Sequence, residues 1–130
     1  AAAAGALVFL AGGAEGDVEA AGAVLRAMGR KVVWCGEGVG AGHVAKACNN
    51  LVLAASMAAV AEAMAIGVRS GLDARVLAEV LNSSSGRCWS SEVYNPVPGV
   101  MEGVPAGRGY VGGFKADLMV KDLGLAGGGA

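Results

Sequence analysis

The chain opens on a strand-like pattern. Residues 5–12 read GALVFLAG, a short apolar run between glycines, which predicts a buried strand. The next stretch, EGDVEAAGAVLRAMGRK, places Glu15, Asp17 and Glu19 at its start and Arg26, Arg30 and Lys31 at its end. That polarity is the one the helix dipole favours. Val18, Ala21, Val24, Leu25 and Met28 recur at helical spacing and predict one apolar face. Residues 31–35, KVVWC, read as a second strand. Strand, helix and strand at this spacing predict a βαβ unit of a parallel α/β sheet. Two strands cannot cover themselves, so further strands are expected outside the chain.

A glycine-rich turn, Gly36-Glu-Gly-Val-Gly-Ala-Gly42, leads into a long helical pattern from about His43 to about Ser70. Alanine dominates it, and Leu51, Leu53, Met57, Val60, Met64 and Ile66 are spread around it. Its only charges are Lys46, Glu62 and Arg69. A helix apolar on most sides is expected to lie buried, against a neighbouring domain or a partner subunit. Gly71 ends it, and Asp73 is placed to cap a helix from Ala74 to about Asn82. The polar stretch Ser83–Ser91 reads as a loop, and Asn95-Pro-Val-Pro-Gly99 cannot continue a helix. The irregular stretch to Gly113 is long enough to suggest binding or contacts with another element. Phe114 to about Ala126 reads as a last helix, and no internal repeat is present.

Composition narrows the function classes. The chain has 130 residues, near the modal domain size, yet 23 are glycine and only 5% are aromatic. Charged residues make up 16% and the net charge is −1, which argues against disorder. Ten basic residues against eleven acidic ones give no nucleic-acid footprint. The uncharged stretch 47–61 falls short of the roughly 20 residues a spanning helix needs and contains Asn49, Asn50 and Ser56, so a packed helix rather than a membrane span is expected. Cysteines at 35, 48 and 88 form no CxxC pair, and His43 is the only histidine, so no zinc or other metal site is expected. Odd, widely spaced cysteines fit free thiols in a reducing compartment. The alanine- and glycine-rich ends suggest a fragment of a larger protein.

Three constellations bear on chemistry. Gly36–Gly42 sits where a dinucleotide fingerprint would, after a strand and before a helix. Ala41 or His43 stands where the third glycine is required, so the turn reads as a crossover out of the sheet. Lys46, Asn49 and Asn50 share one helix face. In a mostly apolar helix such a lysine is either a base made neutral by desolvation or a snorkelling surface side chain. Lys121-Asp122 is a helix cation beside an acid, and Ser83–Ser91, with Arg87 and Trp89, either holds an anion or forms a polar turn.

The run GAGHVAKACNN (40–50) resembles the catalytic-lysine segment of the β-hydroxyacid dehydrogenase family. SSSGRCWSSEVYNPVPGVMEGVP (83–105), GGF (112–114) and LMVKDLGLA (118–126) resemble, within it, the members that act on 3-hydroxyisobutyrate. The resemblance covers nearly the whole chain. It implies a Rossmann remnant, the last strands of an NAD-binding domain, at 1–36, followed at 37–130 by a linking helix and a truncated, mainly α-helical C-terminal domain. It implies NAD-dependent oxidation of 3-hydroxyisobutyrate to methylmalonate semialdehyde in valine breakdown, in the mitochondrial matrix of a eukaryote or otherwise the cytoplasm. Lys46 would be the general base, Asn49 or Asn50 would bind substrate, and Lys121 would reach the cofactor, with Asp122 and Phe114 positioning its helix. The helical domain would form a homo-oligomer.

The family's glycine fingerprint and its Ser-Gly-Gly substrate loop are not found in these residues, so the chain by itself is expected to be inactive. The alternatives are a relative using another short β-hydroxyacid, or a non-catalytic helical dimerisation module from a truncated gene product.

Overall fold

The computed structural model of the chain describes residues 4–128, with side chains described to Gly124. The elements are β1 (Val8–Ala11), α1 (Glu15–Met28), β2 (Lys31–Trp34), α2 (Ala41–Arg69), α3 (Ala74–Ser83), α4 (Trp89–Glu92) and α5 (Ala116–Gly128), with a 3-10 turn at Pro105–Arg108 before α5. The fold is mostly helical, with one small parallel sheet. The chain divides into two compact units: one runs to Asn49 and takes in the end of α5 from Leu125, the other spans Asn50–Gly124.

In the first unit β1 and β2 pair in parallel, from Val8 against Lys31 to Ala11 against Trp34. The Trp34 indole Nε1–H donates to the Gly13 carbonyl at 2.9 Å, tying the ends of the two strands together. Glu15 and Asp17 occupy the first turn of α1 and Arg26 its last, as the charge order predicts. The expected apolar face of α1 is only partly covered. Gly22 is buried and Val18 and Leu25 are half-buried, whereas Ala21, Val24 and Met28 are exposed. A two-stranded sheet is too narrow to shield a 14-residue helix.

The turn into α2 depends on absent side chains. A Cβ on Gly42 would collide with the Leu10 carbonyl oxygen, and one on Gly12 with that of Gly38. The start of α2 can therefore lie directly on the end of β1.

In the second unit Gly71, at φ +91, ends α2 in the left-handed region that suits glycine. Asp73 caps α3 as its position predicts, its Oδ1 accepting from the amides of Arg75 at 2.8 Å and Val76 at 3.1 Å. Gly67 lets α3 close on α2, since a Cβ there would strike the Leu77 side chain. The core is Val60 and Met64 of α2 with Ala78 of α3, and Leu77, Leu81, Cys88, Val97 and Val100 pack around it. The stretch expected to be loop through Ser91 ends instead in the single helical turn of α4. A reciprocal cap starts that turn: the Ser91 amide donates to Cys88 Sγ, while Ser91 Oγ accepts from the Cys88 amide at 2.9 Å.

Full burial of α2, expected from its composition, does not occur within this chain. Val44, Leu51, Val52, Ile66 and Val68 are exposed. The other elements are too few and too short to surround 29 residues of helix. By length and composition α2 is also long and apolar enough to cross a membrane, with a mean hydropathy of 2.0 over its best window.

Candidate functional site

Asn50 is the anchor of the site. It is 2% exposed, on the buried side of α2. Its Nδ2 donates to Asp122 Oδ2 of α5 at 2.6 Å. The other carboxylate oxygen, Oδ1, meets Lys121 Nζ at 3.0 Å. One carboxylate therefore joins an amide of α2 to a cation of α5. Burying an amide is tolerable when it is hydrogen-bonded, and a charged acceptor makes that bond stronger. The Lys121 side chain remains 60% exposed while that of Asp122 is only 20% exposed, so the ammonium is free to reach outward from a fixed base.

Lys46 lies one helical turn before Asn50 on α2, and at i, i+4 the two share a face of the helix. The structure leaves Lys46 exposed, so the burial expected of it is not met within this chain. It forms no ion pair or side-chain hydrogen bond among the described residues. Asn49 is exposed as well, which separates the two asparagines: Asn50 faces inward to Asp122 and Asn49 outward. Phe114, expected to help position the last helix, is 53% exposed.

In the stretch 83–91, Ser83 to Arg87 and Trp89 are exposed, and only its end forms an interior polar knot. Ser90 and Ser91 are fully buried. Ser90 Oγ and Ser56 Oγ are 2.8 Å apart, and Asn82 Nδ2 donates to the Ser91 carbonyl at 3.3 Å. Burial would raise the Cys88 thiol. Hydrogen bonds from the Ser91 amide and hydroxyl, the Ser90 amide and the Ser56 hydroxyl outweigh that and hold it below the usual thiol range. Arg87 pairs with Glu92, its Nη2 at 2.7 Å from Oε1, and Trp89 stacks on Tyr94 with ring centroids 4.9 Å apart. Both contacts close the segment on itself. A groove of about 570 Å³ in the second unit, lined by Met64, Ala65, Val68, Pro96, Val97 and Tyr110 among others, takes in none of the candidate site residues Lys46, Asn49, Asn50 and Lys121. No cluster of metal-ligating side chains occurs among the described residues.

The partnership of Asp122 with Asn50 is the feature sequence reasoning does not reach. The Lys-Asp dipeptide is visible, but nothing in it points to an amide 72 positions earlier.

A parallel strand pair runs into a long helix with a Lys-Asn face, tied to a second lysine-bearing helix, and comparison with known proteins gives the chain a family. A model described as the NAD-binding domain of NADP-dependent 3-hydroxyisobutyrate dehydrogenase matches residues 40–130. The mitochondrial 3-hydroxyisobutyrate dehydrogenase of Mus musculus is 59% identical over 94% of this chain, and the human enzyme 58% over the same share. A probable mitochondrial counterpart in Dictyostelium discoideum is 58% identical over 95%. The solved structure of Mycobacterium tuberculosis 3-hydroxyisobutyrate dehydrogenase with L-serine superposes with a TM-score of 0.93 at 42% identity, covering 98% of this chain and 43% of that one. The chain belongs to the 3-hydroxyisobutyrate dehydrogenase family. It spans 36% of the length of the mouse and human relatives and 38% of the Dictyostelium one.

Proposed function

We propose that this chain is the part of a nicotinamide-dependent dehydrogenase that carries the general base and its support, and that the enzyme oxidises 3-hydroxyisobutyrate to methylmalonate semialdehyde in valine breakdown. The reading rests on Asn50, Asp122 and Lys121 meeting at one carboxylate, on an exposed Lys46 one turn from Asn50, and on the high identity to the relatives above. The strands β1 and β2 are then the last strands of a Rossmann domain, and the helices after them the start of the C-terminal domain. Assembly into a homo-oligomer through the helical part would cover the exposed apolar side chains of α2, and would make α2 a packing helix rather than a membrane span. The names of the eukaryotic relatives support a place in the mitochondrion.

Lys46, as a neutral amine, takes the proton of the substrate hydroxyl as the carbon loses its hydride. The nicotinamide, when bound, supplies the hydride acceptor. Desolvation favours a neutral amine. Because Lys46 is exposed here, that desolvation must be supplied by groups outside the chain. Asn49, exposed on the adjacent position, hydrogen-bonds substrate, and Asn50 takes part while held by Asp122. Lys121 suits the cofactor as an exposed cation on a fixed base, matching the anionic and carbonyl oxygens of a dinucleotide.

The test is a chimera in which this chain replaces the matching segment of the mouse relative. Oxidation of 3-hydroxyisobutyrate with NAD or NADP, followed by absorbance of the reduced cofactor, is the expected result. A folded chimera with no turnover on that substrate sinks the reading. The isolated chain should show no such turnover.

A further inference from the structure

We propose that the second unit binds one buried water between Asn82 Oδ1 and Asn95 Nδ2, and that this water closes a clamp around α4. Asn95 is 0% exposed, and its Oδ1 accepts from the Val97 amide at 3.0 Å. Asn82, half-buried in the last turn of α3, donates from Nδ2 to the Ser91 carbonyl at 3.3 Å. Each amide therefore uses one half of its hydrogen-bonding capacity on backbone. The other halves, Asn82 Oδ1 and Asn95 Nδ2, are buried without a hydrogen-bond partner, and among the described residues they are the only side-chain atoms in that position. Buried polar atoms are nearly always hydrogen-bonded, because a bare one has given up its hydration with nothing in exchange. The neighbouring hydroxyls are already engaged, Ser56 with Ser90 and Ser91 with the Cys88 backbone.

The chemistry of the two open atoms selects the ligand. One is an acceptor and the other a donor. An anion suits Asn95 Nδ2 but is repelled by Asn82 Oδ1, and a cation the reverse. Water donates and accepts at once, so a single molecule answers both amides. The two residues also bracket one short segment. Asn82 precedes α4 and already reaches it at Ser91, and Asn95 lies just beyond its end. The Asn82–Ser91 bond holds the body of the turn, and the water holds its exit. Trp89 of α4 stacks on Tyr94, the residue directly before Asn95, so the clamp also keeps that stack in place.

The inference does not depend on the activity proposed above, and its test needs no turnover. In a crystal structure of the chimera with the mouse relative, one ordered water should lie within about 2.7–3.2 Å of both Asn82 Oδ1 and Asn95 Nδ2. The absence of a water touching both atoms overturns the proposal, and so does direct contact between the two amides. A mutant cycle gives an independent reading. Asn95→Ser keeps an oxygen for the Val97 amide and removes the Nδ2 donor. Asn82→Ala removes the acceptor. Because both changes release the same water, the double variant should lose less in urea midpoint than the two single losses added together. Strictly additive losses overturn the bridge. Where a single variant fails to fold, the position of the water in the unsubstituted chimera decides.

Discussion

Asn50 Nδ2 and Asp122 Oδ2 lie 2.6 Å apart, joining a buried position of α2 to the half-buried side of α5. Hydrogen bonds to charged groups contribute roughly 1.5–3 kcal/mol, and stranding a buried partner adds its desolvation penalty. Asn50→Ala removes the donor and leaves space for water to reach Asp122, whereas Asn50→Leu removes it and leaves Asp122 facing an apolar group. The leucine variant should lose more stability in urea unfolding than the alanine one. Equal losses would show that Asp122 is not desolvated there.

The two lysines should separate in steady-state kinetics of the chimera with the mouse relative. General bases contribute typically 10²–10⁴ in rate, so Lys46→Ala should lower kcat by about that much while leaving cofactor KM nearly unchanged. Lys121→Ala should instead raise KM for cofactor or substrate. A fall in kcat of less than about tenfold for Lys46→Ala contradicts the base role, and unchanged KM values contradict the contact assigned to Lys121.

Gly42→Ala should destabilise the first unit, because the new methyl meets the Leu10 carbonyl oxygen, a backbone atom that cannot rotate away. Overpacking of this kind costs about 1–3 kcal/mol. Gly38→Ala, where nothing lies within 4 Å, is the matched control. Thermal unfolding should fall for the first and hold for the second. Equal midpoints would show that α2 does not rest on β1.

Cys88 should be alkylated with a pH midpoint below that of an unstructured cysteine peptide. Burial works against the thiolate, but the Ser91, Ser90 and Ser56 hydrogen bonds outweigh it. A thiol depressed in the folded state adds stability that is fully present above its unfolded value and is lost as pH falls through the folded one. Ser56→Ala should move the midpoint up toward the peptide value. No movement would assign the effect to the Ser91 and Ser90 hydrogen bonds.

Much of the fold is legible along the chain because it is local. The charge order of α1, the cap at Asp73, the stop at Gly71 and the proline-rich break each act within a few residues, and the structure has all four. The single turn of α4 is less legible because its cap uses a cysteine sulfur, which is not an ordinary capping group. The burial of α2 is misread for another reason. Composition says that a helix wants cover, but whether cover is present depends on surface from other elements, and this chain has too little.

The sequence by itself therefore determined the strands and the longer helices, their order and the candidate residues Lys46, Asn49, Asn50 and Lys121, because spacing and residue chemistry are properties of the chain. Only the tertiary structure decided what those residues do to one another. It turned Asn50 inward and Asn49 outward, left Lys46 in solvent, and set Asp122 between Asn50 and Lys121. Contacts across 72 positions depend on how α2 and α5 come together, and no local pattern carries that information.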